Sequence, residues 1–388
     1  MSNVTFISRT GFQAKDDPNC FNRLHPALKP VAHAKPGELI VFETRDAFDN
    51  QFSPQSTPAQ VACADLNLVH PMTGPVYIEG AERGDVLAVT LVDIEPDEYG
   101  YTVIVPGFGF LRDQFSEPFI ANWQLDRLSA TSEQIPGVKI PMCAFPGSIG
   151  VLPGEVELEK ALAREQQLAQ AGGFVLLPNA AGAIPADLFG EQGLYKDKAL
   201  RTIPPREFGG NMDIKQMQVG TTLLFPCFVE GGGLWCGDVH YAQGDGEVSG
   251  TAIEMAARVT VRTEIRKGLG EYVKFPQFEG GIQLQRTEPT KFYATTGIPL
   301  KARGEVPPHL AYLDSPKAAA LENLSEDLTL ATRNALLQMI DYLVQQHSYT
   351  RQQALVIAAV AVDLRIGQLV DVPNYVVSAV LPLNIFSD

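Results

Sequence analysis

The sequence has no long apolar run, and its cysteines are few and scattered. No segment approaches the roughly 18 consecutive apolar residues of a membrane span, and the first residues show no basic segment followed by an apolar one. We therefore expect neither a membrane span nor a secretory signal. The five cysteines form no CxxC pair, which favours free thiols over disulfides or a cysteine–zinc framework. This pattern predicts a cytoplasmic protein.

Basic residues are also scarce. Lys and Arg number 30 against 45 Asp and Glu, which gives a formal net charge of −15. Such a chain offers no basic surface to nucleic acid or to an anionic membrane, so we expect neither as a partner. The sequence contains no GxSxG, Walker or HExxH motif, and no complete GxGxxG motif. Nucleotide cofactors are therefore not expected.

Short runs of β-branched and aromatic residues, separated by Gly and Pro, predict strands through much of the chain. The clearest are residues 37–44, 76–80, 85–94, 221–231 and 256–265. The last of these alternates apolar and polar side chains, as a half-buried strand does. The first 150 residues are accordingly expected to be mostly β.

Helical patterns lie further along the chain. Residues 155–170 are rich in Glu, Ala and Leu and predict a helix, and residues 172–203 read as a loop. Apolar residues from Leu328 onward recur at spacings of three and four, with Ser325 as the expected N-cap. Thr350 and Gln353 fit a capping box for a second helix, before an apolar C-terminal strand.

These patterns together predict an α+β chain that is mainly β. We expect a β-rich, sandwich-like N-terminal domain at 1–150 and a connecting segment of helix and loops at 151–205. An α/β C-terminal domain at 206–388 would carry the polar motifs.

The first polar motif is a pair of side chains after two glycines. Gly209 and Gly210 allow positive φ or a close approach to a ligand, and Asn211 and Asp213 follow two positions apart. On an extended chain both side chains would face one pocket. The alternative is a tight turn without a ligand.

The second motif is a carboxylate and an imidazole on a predicted strand. Asp238 and His240 lie two apart, so on a strand they share a face and form either a metal site or a base with its orienting partner. Gln243, Asp245 and Glu247 add oxygen-bearing side chains directly afterwards. A simple hairpin turn is the alternative for Asp-Gly. The concentration of polar groups between 206 and 254 favours a functional site.

At these residues the chain resembles the acetamidase/formamidase family, on its formamidase branch. The motifs that carry the resemblance follow one another in the family's order. They are "NRLHP", "VHPMTGPVYIEGAERGDVLAV", "GFGFL", "PGSIGVLP", "GGNMDIKQMQVGTTLLFPCFVEGGGLWCGDVHYAQGDGE" and "VDVPNYVVSAVLP".

The resemblance implies hydrolysis of a small amide to a carboxylate and ammonia, with a divalent metal, zinc or calcium. It adds Glu79 to the pocket. We expect Asp238, His240, Asp213 and Asp245 as metal ligands and Glu247 as the proton shuttle, with His240, Asp238 and Asn211 also catalytic. The substrate would be bound by Gly209, Gly210, Gln243 and Glu79, with Asn211 and the two glycines as donors to the oxyanion.

The chain departs from the family pattern at three places. Gln124, Phe145 and Phe208 stand where the resemblance leads one to expect charged or ligating residues. A more apolar pocket would suit a larger or cyclic amide. Three alternatives to a small linear amidase therefore remain: a hydrolase of lactams or larger amides, a small-molecule-binding relative without turnover, and a structural subunit of an oligomer. A homo-oligomer, most simply a dimer, is expected for an enzyme of this size.

Overall fold

The structure is a computed structural model that describes residues 3–306 and 316–387. The first ten strands are β1 Val4–Ile7, β2 Cys20–Phe21, β3 Arg23–Leu24, β4 Ala32–Ala34, β5 Leu39–Glu43, β6 Met72–Ile78, β7 Val86–Ile104, β8 Phe119–Leu125, β9 Ser129–Thr131 and β10 Lys139–Pro141. The others are β11 Phe145–Gly150, β12 Leu200–Arg201, β13 Gly209–Asn211, β14 Thr222–Pro226, β15 Leu234–His240, β16 Glu254–Arg266, β17 Gln277–Glu279, β18 Phe292–Gly297, β19 Asp363–Gln368 and β20 Val376–Pro382.

Helices are fewer and concentrate in the second half. They are α1 Pro58–Ala62, α2 Glu155–Gln170, α3 Ala186–Phe189, α4 Gln283–Arg286, α5 Pro316–Ala320, α6 Leu328–His347 and α7 Arg351–Ala361. The α+β, mainly β class predicted from the sequence is confirmed. Among the described residues, no helix combines the length and hydropathy needed to cross a membrane.

One large sheet of fifteen strands organises the molecule. Its main path runs β10-β9-β8-β7-β16-β15-β11-β13. The longest pairing joins β7 to β16, from Val86 opposite Arg266 to Tyr101 opposite Glu254. Strands from 1–150 and from 206–388 therefore pair within one sheet. The predicted division into domains at those boundaries stays a prediction.

Strand β16 shows why its sequence folds as it does. Val259 and Val261 are buried, whereas Arg258 and Arg262, which flank this pair, are exposed. Since successive side chains of a strand point to opposite faces, this alternation lets one face join the core and leaves the other in water. The strand predicted at 256–265 is confirmed.

The C-terminal segment forms a three-stranded sheet, β18-β20-β19, against which α6 packs. The helix predicted at 155–170 is confirmed by α2, and the capping box of Thr350 and Gln353 is confirmed at α7. The predicted N-cap of α6 is wrong: Asp327, not Ser325, accepts a hydrogen bond from the Leu330 amide. Ser325 has φ 38°, a left-handed conformation that does not suit the extended N-cap position.

Two other expectations need adjustment. The strand predicted at 221–231 ends at Pro226, and the loop predicted at 172–203 includes α3 and β12. All five cysteines are free, as expected.

Candidate functional site

The site forms at the end of β15, where this strand meets β11 and β16. Asp238 and His240 both lie on β15, and Asp238 Oδ1 is 3.6 Å from His240 Nε2. Their side chains are 2% and 1% exposed. The prediction that they share a face is therefore confirmed. Because β15 pairs with β11 and β16, the two polar groups are held within a rigid part of the sheet.

Strand β16 contributes Glu254 through its register with β15. Glu254 is the first residue of β16 and lies opposite His240, with Oε2 3.3 Å from His240 Nε2. Its other oxygen, Oε1, accepts a 2.9 Å hydrogen bond from the Ala252 amide. One carboxylate oxygen is thus fixed by the backbone while the other faces the imidazole.

Gln243 fixes the orientation of the His240 ring. Its amide nitrogen donates a 2.8 Å hydrogen bond to the Asp213 carbonyl, so its Oε1 must be the acceptor that lies 2.8 Å from His240 Nδ1. The Nδ1–H of His240 therefore donates to Gln243. His240 Nε2 is left to face the carboxylates, including Asp213 Oδ1 at 3.8 Å.

Two further side chains surround Asp238 Oδ2. His70 Nδ1 is 3.7 Å away, and the Ser148 hydroxyl is 3.1 Å away. The same hydroxyl lies 2.8 Å from Asn211 Oδ1, so its single proton serves either acceptor. Since Asn211 Oδ1 faces Ser148, its amide NH₂ is the part that can donate to a ligand in the pocket.

Several polar atoms of this cluster are buried without a hydrogen-bond partner among the described residues. They are Asp213 Oδ1, His240 Nε2, Glu254 Oε2 and His70 Nδ1. Leaving such groups unpaired costs about 1–3 kcal/mol each, and more when the group is charged. A bound cation would accept electron pairs from these atoms and so remove this cost.

The donor atoms fit a divalent cation in two overlapping ways. One set is Asp238, His240 and Glu254, and the other is Asp213, His240 and Glu247; within each set the ligand atoms lie within 4.8 Å of one another. His240 Nε2 belongs to both. Imidazole nitrogen and carboxylate oxygen together suit zinc and similar transition metals.

The pKa values of three buried acidic residues are raised, whereas that of Asp238 is lowered. Burial raises the pKa of Asp213 to about 8, that of Glu254 to about 7 and that of Glu247 well above its ordinary value. Burial would also raise the pKa of Asp238, but His70 and His240 together hold it below its usual range. The pKa of His240 is raised against its burial, because Glu254 and Asp238 favour the charged ring.

A pocket of about 330 Å³ opens above this cluster. Its polar floor includes His70, Asn211, Asp238, Glu247 and Glu254. Most of the remaining wall is apolar, and it includes Phe48, Val69, Val105, Phe108, Phe110, Phe174, Leu176 and Ile203. The arrangement allows a small polar group to meet the carboxylates while an apolar part fills the space above them.

The structure brings together most of the residues that the sequence singled out. Asn211, Asp238 and Glu247 line the pocket, and Asp213, His240 and Gln243 lie directly beneath or beside them.

The structure corrects the expected site at Asp245 and Glu79. The Asp245 amide donates to Asp363, and its carboxylate lies in the field of the Lys215–Asp363 ion pair, outside both ligand sets. Glu79 is exposed at the end of β6 and does not line the pocket. Their predicted contributions to the metal site and the substrate pocket are therefore withdrawn.

Gly209 and Gly210 also lie outside the pocket. Both belong to β13 and pair with β11, and the Gly209 amide donates to the Arg206 carbonyl. The Gly209 N–H is therefore not free for an oxyanion. The positive φ of both glycines serves the close approach of β13 to β11, where a Cβ on Gly209 would lie 2.6 Å from the Ile149 carbonyl oxygen.

Sequence analysis missed Glu254, His70 and Ser148. Glu254 marked only the end of the polar region, although a single acid inside the apolar run "TAIEMAARV" is a usable signal for a buried carboxylate. His70 stands next to a proline in "VHP", a context that is also typical of a solvated loop, but its side chain is only 12% exposed and faces Asp238. For Ser148, the sequence "PGSIG" offers no comparable signal.

The three departures from the family pattern have different positions. Phe145 lies against His240, with ring centroids 5.2 Å apart in an edge-to-face arrangement. Phe208 is buried beside Phe228, and Gln124 is exposed on β8. Only Phe145 therefore touches the polar cluster, where it adds an apolar wall to the imidazole.

Comparison with known proteins places this geometry in a family. The model of the Acetamidase/Formamidase family matches residues 8–388. The chain belongs to the acetamidase/formamidase family. It is 32% identical to a formamidase of Methylophilus methylotrophus, over 96% of this chain and 90% of that protein. It is 33% identical to an acetamidase of Mycolicibacterium smegmatis, over 87% of this chain and 84% of that protein.

A solved structure shares the whole architecture. A gamma lactamase from Delftia acidovorans superposes with a TM-score of 0.87 at 31% sequence identity, covering 99% of this chain and 94% of that one. The fold is therefore shared over essentially the entire chain, including the strands that carry the polar cluster.

Proposed function

We propose that this protein hydrolyses the C–N bond of a small amide to a carboxylate and ammonia. The observation that carries the proposal is the group of buried, unpartnered polar atoms around His240 Nε2, at the floor of a pocket with apolar walls. Family membership supports the same chemistry, since relatives over most of the chain are named formamidase and acetamidase.

We assign a divalent cation to Asp238, His240 and Glu254. This set is preferred because two of its members line the pocket, all three are nearly fully buried, and the distances to His240 Nε2 are the shorter ones. Such a cation supplies Lewis acidity, which polarises a carbonyl and lowers the pKa of water. An imidazole ligand favours zinc over calcium, which prefers oxygen donors alone.

Glu247 and Asp213 form the proton-transfer pair in this proposal. Burial raises both pKa values. The charge of Asp213 raises the pKa of Glu247 further, whereas a hydrogen bond with Glu247 lowers the pKa of Asp213. Two coupled carboxyls that share one proton can take up the proton of an attacking water and return it to the departing amine. Glu247 lines the pocket and is the member that reaches the leaving group.

Asn211 orients the amide carbonyl. Its oxygen faces Ser148, so its NH₂ group can donate to the carbonyl oxygen as negative charge develops there. A well-aimed donor of this kind contributes about 3–4 kcal/mol to lowering the barrier. The Gly209 N–H, which is already bonded within the sheet, has no such role.

Ammonia release from a panel of linear and cyclic amides, with and without a chelator, tests the proposal. His240→Ala removes the nitrogen common to both ligand sets and should reduce kcat/KM at least about a thousandfold, together with metal content. Glu247→Gln removes the proton donor and should reduce kcat by about 10²–10⁴-fold with little change in metal content.

Matched controls are His33→Ala and Glu264→Gln, because both residues are exposed on strands of the same sheet. Both controls should keep wild-type rates. Undiminished amide hydrolysis in His240→Ala and Glu247→Gln would refute the assigned roles.

A lactam is the second candidate substrate. Ring opening breaks the same C–N bond, and the specific support is the close structural match to a gamma lactamase over 99% of this chain. The largely apolar walls of the pocket suit a cyclic hydrocarbon frame. Acid release from γ-lactams without ammonia formation would favour this substrate; a chain active only on linear amides would exclude it.

The expected homo-oligomer and cytoplasmic location stay predictions. Light scattering of the purified protein and fractionation of its host cells measure them directly.

A further inference from the structure

An amide with a single carbon atom would leave most of the pocket unfilled. The pocket measures about 330 Å³, and liquid water occupies roughly 30 Å³ per molecule, so the space corresponds to about ten water molecules. Its upper wall is aromatic and aliphatic. A longer acyl group would fill this space, and the residues at the mouth indicate what that group carries.

The two ends of the pocket carry charges of opposite sign. At the floor, Asp238 and Glu254 are each 2% exposed. At the mouth, Phe174 is 62% exposed, and the guanidinium carbon of Arg112 lies 5.3 Å from the centre of its ring. Arg112 lines the same pocket as the acidic floor. The pocket therefore runs from buried carboxylates to a cation near solvent.

The guanidinium of Arg112 has donors to spare. Among the residues that the structure describes, it makes one hydrogen bond, from Nη1 to the Gly109 carbonyl at 3.3 Å. Its neighbour Asp113 pairs with Arg333 instead. Arg112 has no carboxylate partner among residues 3–306 and 316–387, and it lines the cavity.

We propose that Arg112 selects amides whose acyl chain ends in a carboxylate, such as the monoamide of a dicarboxylic acid. The proposal rests on the amide hydrolysis proposed above and names its substrate class. A guanidinium binds a carboxylate through two parallel hydrogen bonds, which fixes both position and direction. Asn211 and the polar cluster at the floor hold the amide carbonyl, so the charged end of the acyl chain points to Arg112 at the mouth.

Matched substrates test the selection. Glutaramate ends in a carboxylate and hexanamide in an ethyl group, with the same amide and a similar length. We expect wild-type kcat/KM to favour glutaramate by about tenfold, mainly through KM, because a charge-assisted hydrogen bond at a half-exposed site contributes little more than that factor. Succinamate and adipamate then give the chain length that spans the pocket.

Variants of Arg112 show whether this residue is the source of the preference for glutaramate over hexanamide. Arg112→Gln should abolish the ratio between glutaramate and hexanamide, and Arg112→Lys should keep part of it, since the charge remains but the paired hydrogen bonds do not. Arg262→Gln is the matched control, because Arg262 is exposed on β16 and does not line the pocket. A ratio that survives Arg112→Gln would overturn the proposal.

A binding measurement separates this proposal from the proposed function. 5-Oxohexanoate and 2-heptanone replace the amide group of glutaramate and of hexanamide, respectively, by a methyl ketone that cannot be hydrolysed. Calorimetry on the holoenzyme should show tighter binding of 5-oxohexanoate by about tenfold, and the difference should vanish in Arg112→Gln. Equal binding of both ketones by the wild type would refute the role of Arg112. If amides are hydrolysed but 5-oxohexanoate is not bound more tightly, the proposed function stands and the role of Arg112 is refuted. If 5-oxohexanoate is bound more tightly but no amide is hydrolysed, the role of Arg112 stands and the proposed function is refuted.

Discussion

Gln243 controls the nitrogen that His240 presents to the carboxylates. Because its amide donates to the Asp213 carbonyl, it can only accept from His240 Nδ1, and His240 Nε2 then faces the carboxylates of the proposed cation site. Gln243→Leu removes both contacts and frees the ring. We expect a loss of about 10–100-fold in kcat/KM and in metal affinity, as for other partners that orient a ligating imidazole. Steady-state kinetics and metal analysis measure both quantities.

Gln338→Leu is the control for this substitution. Gln338 also donates to a backbone carbonyl, that of Thr296, but on the exposed face of α6. Its replacement should leave kinetics and metal content at wild-type values. If Gln243→Leu behaved in the same way, the imidazole would be oriented by the carboxylates alone.

Single residues of the site differ in how far the sequence predicts them. Asp238 and His240 were predictable because the period of a strand places them on one face. Glu254 reaches the same imidazole only through the register of β16 on β15, which no local pattern encodes. Asp245 follows the motif closely in sequence, yet the chain turns and its carboxylate faces Lys215.

Among the secondary-structure elements, β11 packs directly against the cluster at Gly147. A Cβ on Gly147 would lie 2.7 Å from both Asp213 Oδ1 and His240 Nε2, closer than real contacts allow. Gly147→Ala should therefore displace the imidazole and reduce kcat/KM by about tenfold or more, since small misplacements of reacting groups have large kinetic effects. Gly281→Ala, where the nearest atom is 3.8 Å away, should keep wild-type kinetics. Equal activities for the two variants would mean that the cluster accommodates the added methyl group without loss of catalysis.

Helices and caps that depend on a short stretch of sequence were predictable, whereas the pairing of strands distant in sequence was not. The composition of α2 and the capping box of α7 are features of short continuous segments, so each was predicted correctly. The N-cap of α6 was missed by two residues because Ser325 and Asp327 are both good capping types and only the backbone conformation decides between them. Pairing of β7 with β16 joins residues far apart in sequence, and periodicity alone cannot predict it.

For the molecule as a whole, the polar cluster connects distant segments. His70 precedes β6, Ser148 lies on β11, Asp238 on β15 and Glu254 on β16. These strands belong to the one large sheet. A charge or a bound cation at their meeting point therefore acts on the stability of the entire fold, because unfolding separates all of its contributors.

The acidic cluster should make the chelated protein less stable as the pH rises from 7 to 9. Burial raises the pKa of Asp213 to about 8 and of Glu254 to about 7, and the pKa of His240 is raised as well. The folded state then holds protons that the unfolded state has released, so the free energy of unfolding falls as pH increases through these values. His70, whose pKa is lowered, has the opposite effect on stability, but mainly below pH 7 and therefore outside this pH range.

Calorimetry should show a lower Tm at pH 9 than at pH 7. Glu254→Gln should reduce this dependence of Tm on pH, whereas Glu264→Gln, exposed on the same strand, should not. Zinc should raise Tm more at pH 9, where its ligands have already lost their protons. A chelated protein with equal or higher Tm at pH 9 would contradict the raised pKa values.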